Sequence, residues 1–314
     1  MVYIIKIQIF CHPYGRRDRR MAEDGRKKSV IDCAIPDHIE DIQVDRLKRD
    51  SSYVMAEPHE HSFYEIYYLI DGQCRLFLDG EIYYLAPGDM VVVRPGEIHR
   101  SLYEAGEVAD RYGIYFSQDH IRTLAKGCGR AAFERIVATP HRSLPAPFRM
   151  EAEEILRQML EENARRDAYS GVQKKSALYR LLILLGRCPD EGRTSREREP
   201  DESERAVLEA ARYVFEHRME SVTLEQAAKA AHMSPTYFSK KFRRSTGFGF
   251  KEYLTTLRLR EAADRLRNTD DTVTGIALAC GFSDGNYFGD AFKKAKGVSP
   301  RQYRKAYRDG VKHH

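Results

Sequence analysis

The sequence predicts an α+β chain of two domains: an N-terminal β-barrel closed by a helix pair, then an all-α C-terminal domain. Three observations carry this expectation. Residues 39–118 alternate short β-branched and aromatic runs with Asp-Gly and Pro-Gly turns. Residues 272–308 read as a helix, a tight turn and a second helix, and the plan is already present once at 223–258. The charge is unevenly placed: residues 203–314 hold 21 Lys and Arg against 13 Asp and Glu, a net +8, which leaves −3 elsewhere in a chain of net charge +5.

In chain order, residues 1–30 open MVYIIKIQIF and continue into the charged run GRRDRRMAEDGRKKS. Such a run cannot bury enough apolar surface to order itself, so a disordered extension is expected, with Met21 as an alternative start. The opening is short for a signal peptide, and Lys6 interrupts it. A first domain is expected over 31–187. EIYYLI (65–70), CRLFL (74–78), EIYYL (81–85) and MVVV (90–93) are its clearest strands, separated by Asp71-Gly72, Asp79-Gly80 and Pro87-Gly88. Strands this short at such spacing make a sandwich or a jelly roll.

Residues 147–187 turn helical. Phe148, Ala152, Ile155, Leu156, Met159 and Leu160 form one stripe, and Leu178, Leu181, Leu182 and Leu185 a second. Each stripe suits either the chain's own barrel or a second copy. Residues 188–202 lack periodicity and form the linker. The C-terminal domain, 203–310, starts with the helix 203–219. In its second repeat Ile276, Ala277 and Cys280 make an apolar face that Gly281 ends. Asp284 caps the next helix, whose buried face is assigned to Tyr287, Phe288, Ala291 and Phe292. YFSKKF (237–242) matches YFGDAF (287–292), and Gly247 matches Gly297. A connecting helix of roughly 19 residues spans about 28 Å, which suits two recognition helices about one DNA turn apart.

Several classes are excluded or disfavoured. No run approaches the roughly 18 apolar residues of a membrane span. Six scattered cysteines without a CxxC pair point to reduced thiols and a cytoplasmic setting. No Ser-His-Asp set, P-loop or dinucleotide glycine pattern is present.

The C-terminal region strongly resembles the DNA-binding domain of AraC/XylS-family transcriptional regulators. IALACGFSDGNYFGDAFKKAKGVSPRQYR carries the likeness. The resemblance implies that Thr236, Tyr237, Ser239, Lys240 and Arg244 face DNA from the first recognition helix. Gly285, Asn286, Gly289, Asp290 and Lys293 do so from the second. Lys240 is then suited to guanine and Asn286 to adenine. Lys241, Arg243, Lys293, Lys294 and Arg301 suit phosphates. Gly289-Asp290 departs from the family, which often has a polar residue and an arginine there. The second helix is therefore expected to position more than to read.

The first domain resembles the cupin fold: His59, His61, Glu65 and Gly72 match its first motif. Gly88, Pro95, Gly96 and His99 follow the second, with Pro95 and Gly96 adjacent where the family has a residue between them. A cupin-like barrel is common in the sensor domains of AraC-type regulators. The resemblance implies a small-molecule effector, sugar-like by family habit, held by His59, His61, Glu65, Tyr67 and His99. No catalytic residue and no cofactor is expected. A metal, if bound, would use His59, His61, Glu65 and His99, a donor set suited to iron, manganese or zinc. The expected function is a ligand-responsive DNA-binding regulator, most often an activator. Its expected partners are double-stranded DNA, RNA polymerase and a second copy of itself. The alternative is a metal-dependent cupin enzyme fused to a DNA-binding domain.

Overall fold

The computed structural model describes residues 39–51, 61–104, 106–189 and 201–311. The expected N-terminal extension, His59 and most of the linker lie outside them. Strands β1 (Gln43–Asp50), β2 (Tyr64–Asp71), β3 (Cys74–Leu78), β4 (Glu81–Leu85), β5 (Asp89–Val93), β6 (His99–Leu102), β7 (Val108–Phe116) and β8 (His141–Ser143) build two antiparallel sheets. The larger has the order β1-β7-β2-β5-β8 and the smaller β4-β3-β6. The punctuation read from sequence does its expected work. Asp79 and Gly80 both adopt positive φ, as a two-residue hairpin turn requires, and they join β3 to β4.

The two sheets face each other across an interior of Tyr67, Leu69, Val91 and Val93 from one and Cys74, Leu76, Leu78 and Leu85 from the other. The outer face of the larger sheet (Ile66, Tyr68, Val92, Ile114) packs on four helices. These are α1 (Gln118–Cys128), α2 (Arg130–Ala138), α3 (Ala146–Arg165) and α4 (Ser170–Arg187). The stripes on α3 and α4 are buried against this sheet: Ile155, Leu156, Leu178, Leu181 and Leu182 are all at 0% exposure. A buried leucine contributes about 1.5–3 kcal/mol, so these helices are anchored to their own barrel. Helices α1 and α2 are additions to the sequence reading.

The C-terminal domain comprises α5 (Glu202–Glu216), α6 (Leu224–Ala230), α7 (Pro235–Thr246), α8 (Phe250–Asn268), α9 (Val273–Ala279), α10 (Gly285–Lys296) and α11 (Pro300–Val311). Its caps follow from side-chain chemistry. Thr223 and Ser234 accept from the backbone N–H three residues on, as does Thr272, and Asp284 accepts from Asn286 N. Gly247 and Gly297 end α7 and α10 in the left-handed conformation. Two separate cores result. Phe238, Phe242, Phe248 and Tyr253 fill the first, and Ile276, Cys280, Phe288 and Phe292 the second.

The first core is not made by the C-terminal domain alone. Phe77 and Ile98 of the barrel belong to it. They come from the outer side of the smaller sheet, where Phe77 stacks near Phe248 and Tyr253 at 5.4 and 5.5 Å between ring centres. The described residues thus form four layers: helices, larger sheet, smaller sheet, helical domain.

Candidate functional site

Two surfaces carry chemistry. The first lies on α7 and α10. In each, phenylalanines four residues apart (Phe238 and Phe242, Phe288 and Phe292) anchor one face in the core. The opposite face is thereby turned outward. Thr236, Tyr237, Lys240, Arg243 and Arg244 are exposed on α7, with Ser239 half-buried. On α10 Gly285, Asn286, Asp290, Lys293 and Lys294 are exposed and Gly289 is half-buried, while Arg301 is exposed on α11.

Two placements differ from the sequence reading. Tyr287, assigned to the buried face, is 46% exposed and leans on Phe282 and the Lys251 ammonium. It sits one position before Phe288, and a helix turns by about 100° per residue, so with Phe288 and Phe292 centred on the core Tyr287 falls at the edge of the buried face. Its repeat partner Tyr237 is 52% exposed, so matching positions expose matching tyrosines; the repeat itself held that signal. Lys241 is only 16% exposed at its side chain, and its ammonium binds Asp201, the N-cap of α5, at 3.1 Å. It ties the recognition helix to α5 and is the least available of the expected phosphate contacts.

The second surface is the interior between the sheets. His61 lies just before β2, not on a strand, and still reaches Glu65: Nε2 is 3.3 Å from Glu65 Oε2. His99 arrives on β6, with Nε2 3.1 Å from the same oxygen. His61 Nδ1 contacts the Phe63 carbonyl at 2.7 Å and His99 Nδ1 the Glu97 carbonyl at 3.0 Å. A carbonyl oxygen only accepts, so both Nδ1 atoms carry the proton. Both Nε2 atoms then meet Glu65 either as imidazolium donors or as lone pairs facing a shared cation. Burial alone would raise the Glu65 carboxyl, but the two histidine hydrogen bonds outweigh it and hold the carboxyl well below the usual range. Burial lowers His99, and the Glu65 bond and charge overcome that and raise it.

His61, Glu65 and His99 therefore converge, all three buried, with ligand atoms within 4.8 Å of one another. Two imidazoles and one carboxylate, each imidazole steadied through its other nitrogen, fit a divalent transition cation. The structure brings these three together; His59 lies outside the described residues. Tyr67, also expected here, points inward on β2, and its hydroxyl meets Cys74 Sγ at 3.1 Å.

The register adds residues that sequence reasoning missed. Glu65 pairs with Tyr115, Tyr67 with Gly113 and Leu69 with Arg111, while Asp45 pairs with Gly113. Directly paired residues share a sheet face, so Asp45, Arg111 and Tyr115 line the interior beside Glu65 and Tyr67. Burial pushes the Asp45 carboxyl up although the Arg111 charge opposes it.

The outer side of β3, β4 and β6 holds the helical domain. Glu204 of α5 accepts from Arg75 at 3.1 Å and from the Tyr84 hydroxyl at 2.8 Å. Arg260 of α8 grips both oxygens of Asp79 at 2.7 and 3.0 Å. Arg212 pairs with Glu81, and Arg100 lies over the Phe248 ring at 5.5 Å.

Two family models match the chain. A family model for an AraC-like ligand binding domain matches residues 45–182, and a helix-turn-helix domain model matches 227–306. The chain belongs to the AraC family of transcriptional regulators. Among its relatives, the helix-turn-helix transcriptional activator RhaS of Escherichia fergusonii is 28% identical over 248 residues, 78% of this chain and 86% of that one. The regulator YisR of Bacillus subtilis is 25% identical over 78% and 86% of the two chains. YijO of Escherichia coli is 41% identical over 103 residues, 32% of this chain and 36% of that one. The solved DNA-binding domain of AdpA in complex with a target DNA is 33% identical over 33% of this chain and 94% of that one, with a TM-score of 0.32.

As an AraC-family regulator, the protein binds DNA through its helix-turn-helix domain and carries a ligand-binding domain in front of it. The helix-turn-helix match begins inside α6. Yet α5, upstream of it, supplies Val207, Ala210, Ala211 and Val214 to the first core, so the working domain starts with α5. No helix among the described residues is long and apolar enough to cross a membrane.

Proposed function

We propose that this AraC-family chain is a cytoplasmic, homodimeric transcription activator that contacts RNA polymerase when a small effector fills its barrel. The effector, a sugar-like metabolite in this reading, donates to Glu65, makes hydrogen bonds with His61 and His99 and packs on Tyr67, with His59 completing the set. Thr236, Tyr237, Ser239, Lys240 and Arg244 of α7 and Asn286, Asp290 and Lys293 of α10 meet successive major grooves. Arg243, Lys294 and Arg301 hold phosphates, and Lys241 serves α5 more than DNA.

One observation carries the proposal. The sheet β4-β3-β6 is shared: Leu76, Leu78 and His99 face the interior, and Arg75, Phe77 and Arg100 alternate with them toward the helical domain. An effector that moves this sheet moves the first helix-turn-helix unit directly. The test is fluorescence anisotropy on DNA from the protein's own upstream region, across salt concentrations and a metabolite panel. Steep salt dependence with sequence preference, altered by one metabolite, is expected. DNA binding untouched by every compound, with Asn286→Ala and Lys240→Ala without effect, would sink the reading.

The trio of His61, Glu65 and His99 also favours a second reading, a metal-dependent barrel. The regulators among its relatives weigh toward a sensor and against an enzyme. Stoichiometric metal on purified protein, lost in His99→Ala together with a turnover assay, would favour that alternative.

A further inference from the structure

Arg111 lies on the interior face of the larger sheet, and its side chain is only 9% exposed. Its donors are poorly used. Nη1 gives one hydrogen bond to Asp45 Oδ1 at 3.2 Å, and Nη1 and Nη2 each reach the Tyr115 hydroxyl only at 3.4 Å. Nε is buried and has no hydrogen-bond partner among the described residues. The guanidinium plane lies 5.2 Å from the Tyr67 ring centre. Nε–H and the adjacent Nη2–H are the parallel pair of a guanidinium, the edge that receives a carboxylate with two bonds. Of this edge, Nε has no partner among the described residues and Nη2 has only the long contact to the Tyr115 hydroxyl.

The arginine's own strand is shaped for this. Gly113 lies beneath the guanidinium. A Cβ there would collide with Arg111 Nη1 and stand 2.6 Å from the Tyr115 hydroxyl and 3.0 Å from Asp45 Oδ1. Only glycine leaves the arginine flat against the sheet, beside the effector residues rather than folded away from them. The nearby acids do not close the edge. Glu65 is engaged by both histidines, and Asp45, 34% exposed at its side chain, sits toward the rim and reaches only Nη1.

We infer that Arg111 is the specificity-determining residue of the barrel and that the effector is a small carboxylic acid, bound two-pronged on the Nε–Nη2 edge with its body against Tyr67 and Tyr115. A carboxylate adds one charge beside a guanidinium that Asp45 engages through Nη1 alone. A phosphate dianion would overfill the charge beside Glu65 and Asp45. The inference rests on the sensor reading and narrows its ligand class from sugars at large to acids, sugar acids included.

The test uses the full chain, Arg111→Met and Gly113→Ala. Thermal denaturation is recorded without ligand and with matched neutral and acid probes: galactose and galacturonate, glucose and glucuronate, benzyl alcohol and benzoate, and acetate. The expected result has three parts. Arg111→Met melts at or above the wild-type temperature, because a buried charge built for a ligand is a cost to the free protein. At least one acid raises the wild-type midpoint while its neutral partner does not. Both variants weaken that acid by about tenfold or more. A fall of several degrees in ligand-free Arg111→Met would make the guanidinium a structural pillar and overturn the inference. So would a neutral probe that binds wild type and Arg111→Met alike, or the failure of every acid, acetate and benzoate included, to move wild type. Promoter DNA binding measured alongside separates the two readings. An acid that binds through Arg111 without altering DNA affinity breaks the sensor reading and leaves the site. A neutral effector that alters DNA affinity does the reverse.

Discussion

The two helix-turn-helix units share one plan and live in different surroundings. Both end their recognition helix on a left-handed glycine. At Gly247 an added Cβ would come 2.6 Å from Arg100 Cδ and 3.0 Å from Leu102 Cδ2 of the barrel, whereas at Gly297 it would meet nothing within 4 Å. The first unit's core is completed by Phe77 and Ile98, and the second closes on itself with Leu259, Ala262, Phe288 and Phe292. The helix α8 belongs to both, with Leu254 and Leu257 in the first core and Leu259 and Leu266 in the second. A duplicated module has therefore been divided: one copy is held by the sensor, and the other hangs from α8.

The strongest way to break this comparison is Phe77→Ala. Phe77 is at 0% exposure among Phe248 and Tyr253, and truncating a buried phenylalanine costs about 3–5 kcal/mol. Hydrogen exchange is expected to rise across α7 and the start of α8 and to stay unchanged across α9 and α10. Equal loosening of both units would show that the division is not real.

A smaller effect is expected from the ion pair at the same border. Asp79 and Arg260 are each about a quarter or less exposed, and they make two hydrogen bonds. A double-mutant cycle of Asp79→Ala and Arg260→Ala should give a coupling of about 1 kcal/mol in thermal or denaturant unfolding. A coupling indistinguishable from zero would reduce the contact to a surface pair and leave the apolar core as the whole attachment.

How much of this was legible beforehand differs by region. The repeat was, because helix caps and stop glycines are local signals: Thr272, Gly281, Asp284 and Gly297 each act on neighbours within a few residues. The strands were, because Asp79-Gly80 allows little besides a tight turn. Helices α1 and α2 were not. The first has Ser117 capped by His120 in place of the usual glutamate or glutamine, and Gly129 borders both. The smaller sheet's double role was hidden as well. Both faces of β3 are covered, so CRLFL shows no alternation to reveal that Arg75 and Phe77 point away from Cys74, Leu76 and Leu78. Histidine spacing located His61 and His99 but not Arg111, whose place inside the barrel depends on the β2–β7 register. That register is set by residues 39 to 52 positions apart.

The smallest expected effects concern the turns. His232 occupies the left-handed position of the first unit (φ 54), where the second has Gly281 (φ 80). His232→Gly should stabilise by about 0.5–1 kcal/mol or less, by relief of backbone strain. The equivalent reverse change, Gly281→Ala, should cost more than that, because its Cβ would stand 3.0 Å from the Met219 carbonyl as well. Paired melting curves of the two variants check the sign, and equal shifts would mean that the turns are interchangeable.

The pleat of β6 has one more consequence. His99 and Arg100 are adjacent in the chain and point into different chemistry, one toward Glu65 and the other onto Phe248. On the proposed reading, substitutions at Leu76, Leu78 or His99 are expected to retune what the protein recognises, and substitutions at Arg75, Phe77 or Arg100 how firmly recognition is reported. Taste and obedience are thus written on alternate letters of the same strands, so a descendant can acquire a new signal without relearning how to transmit it.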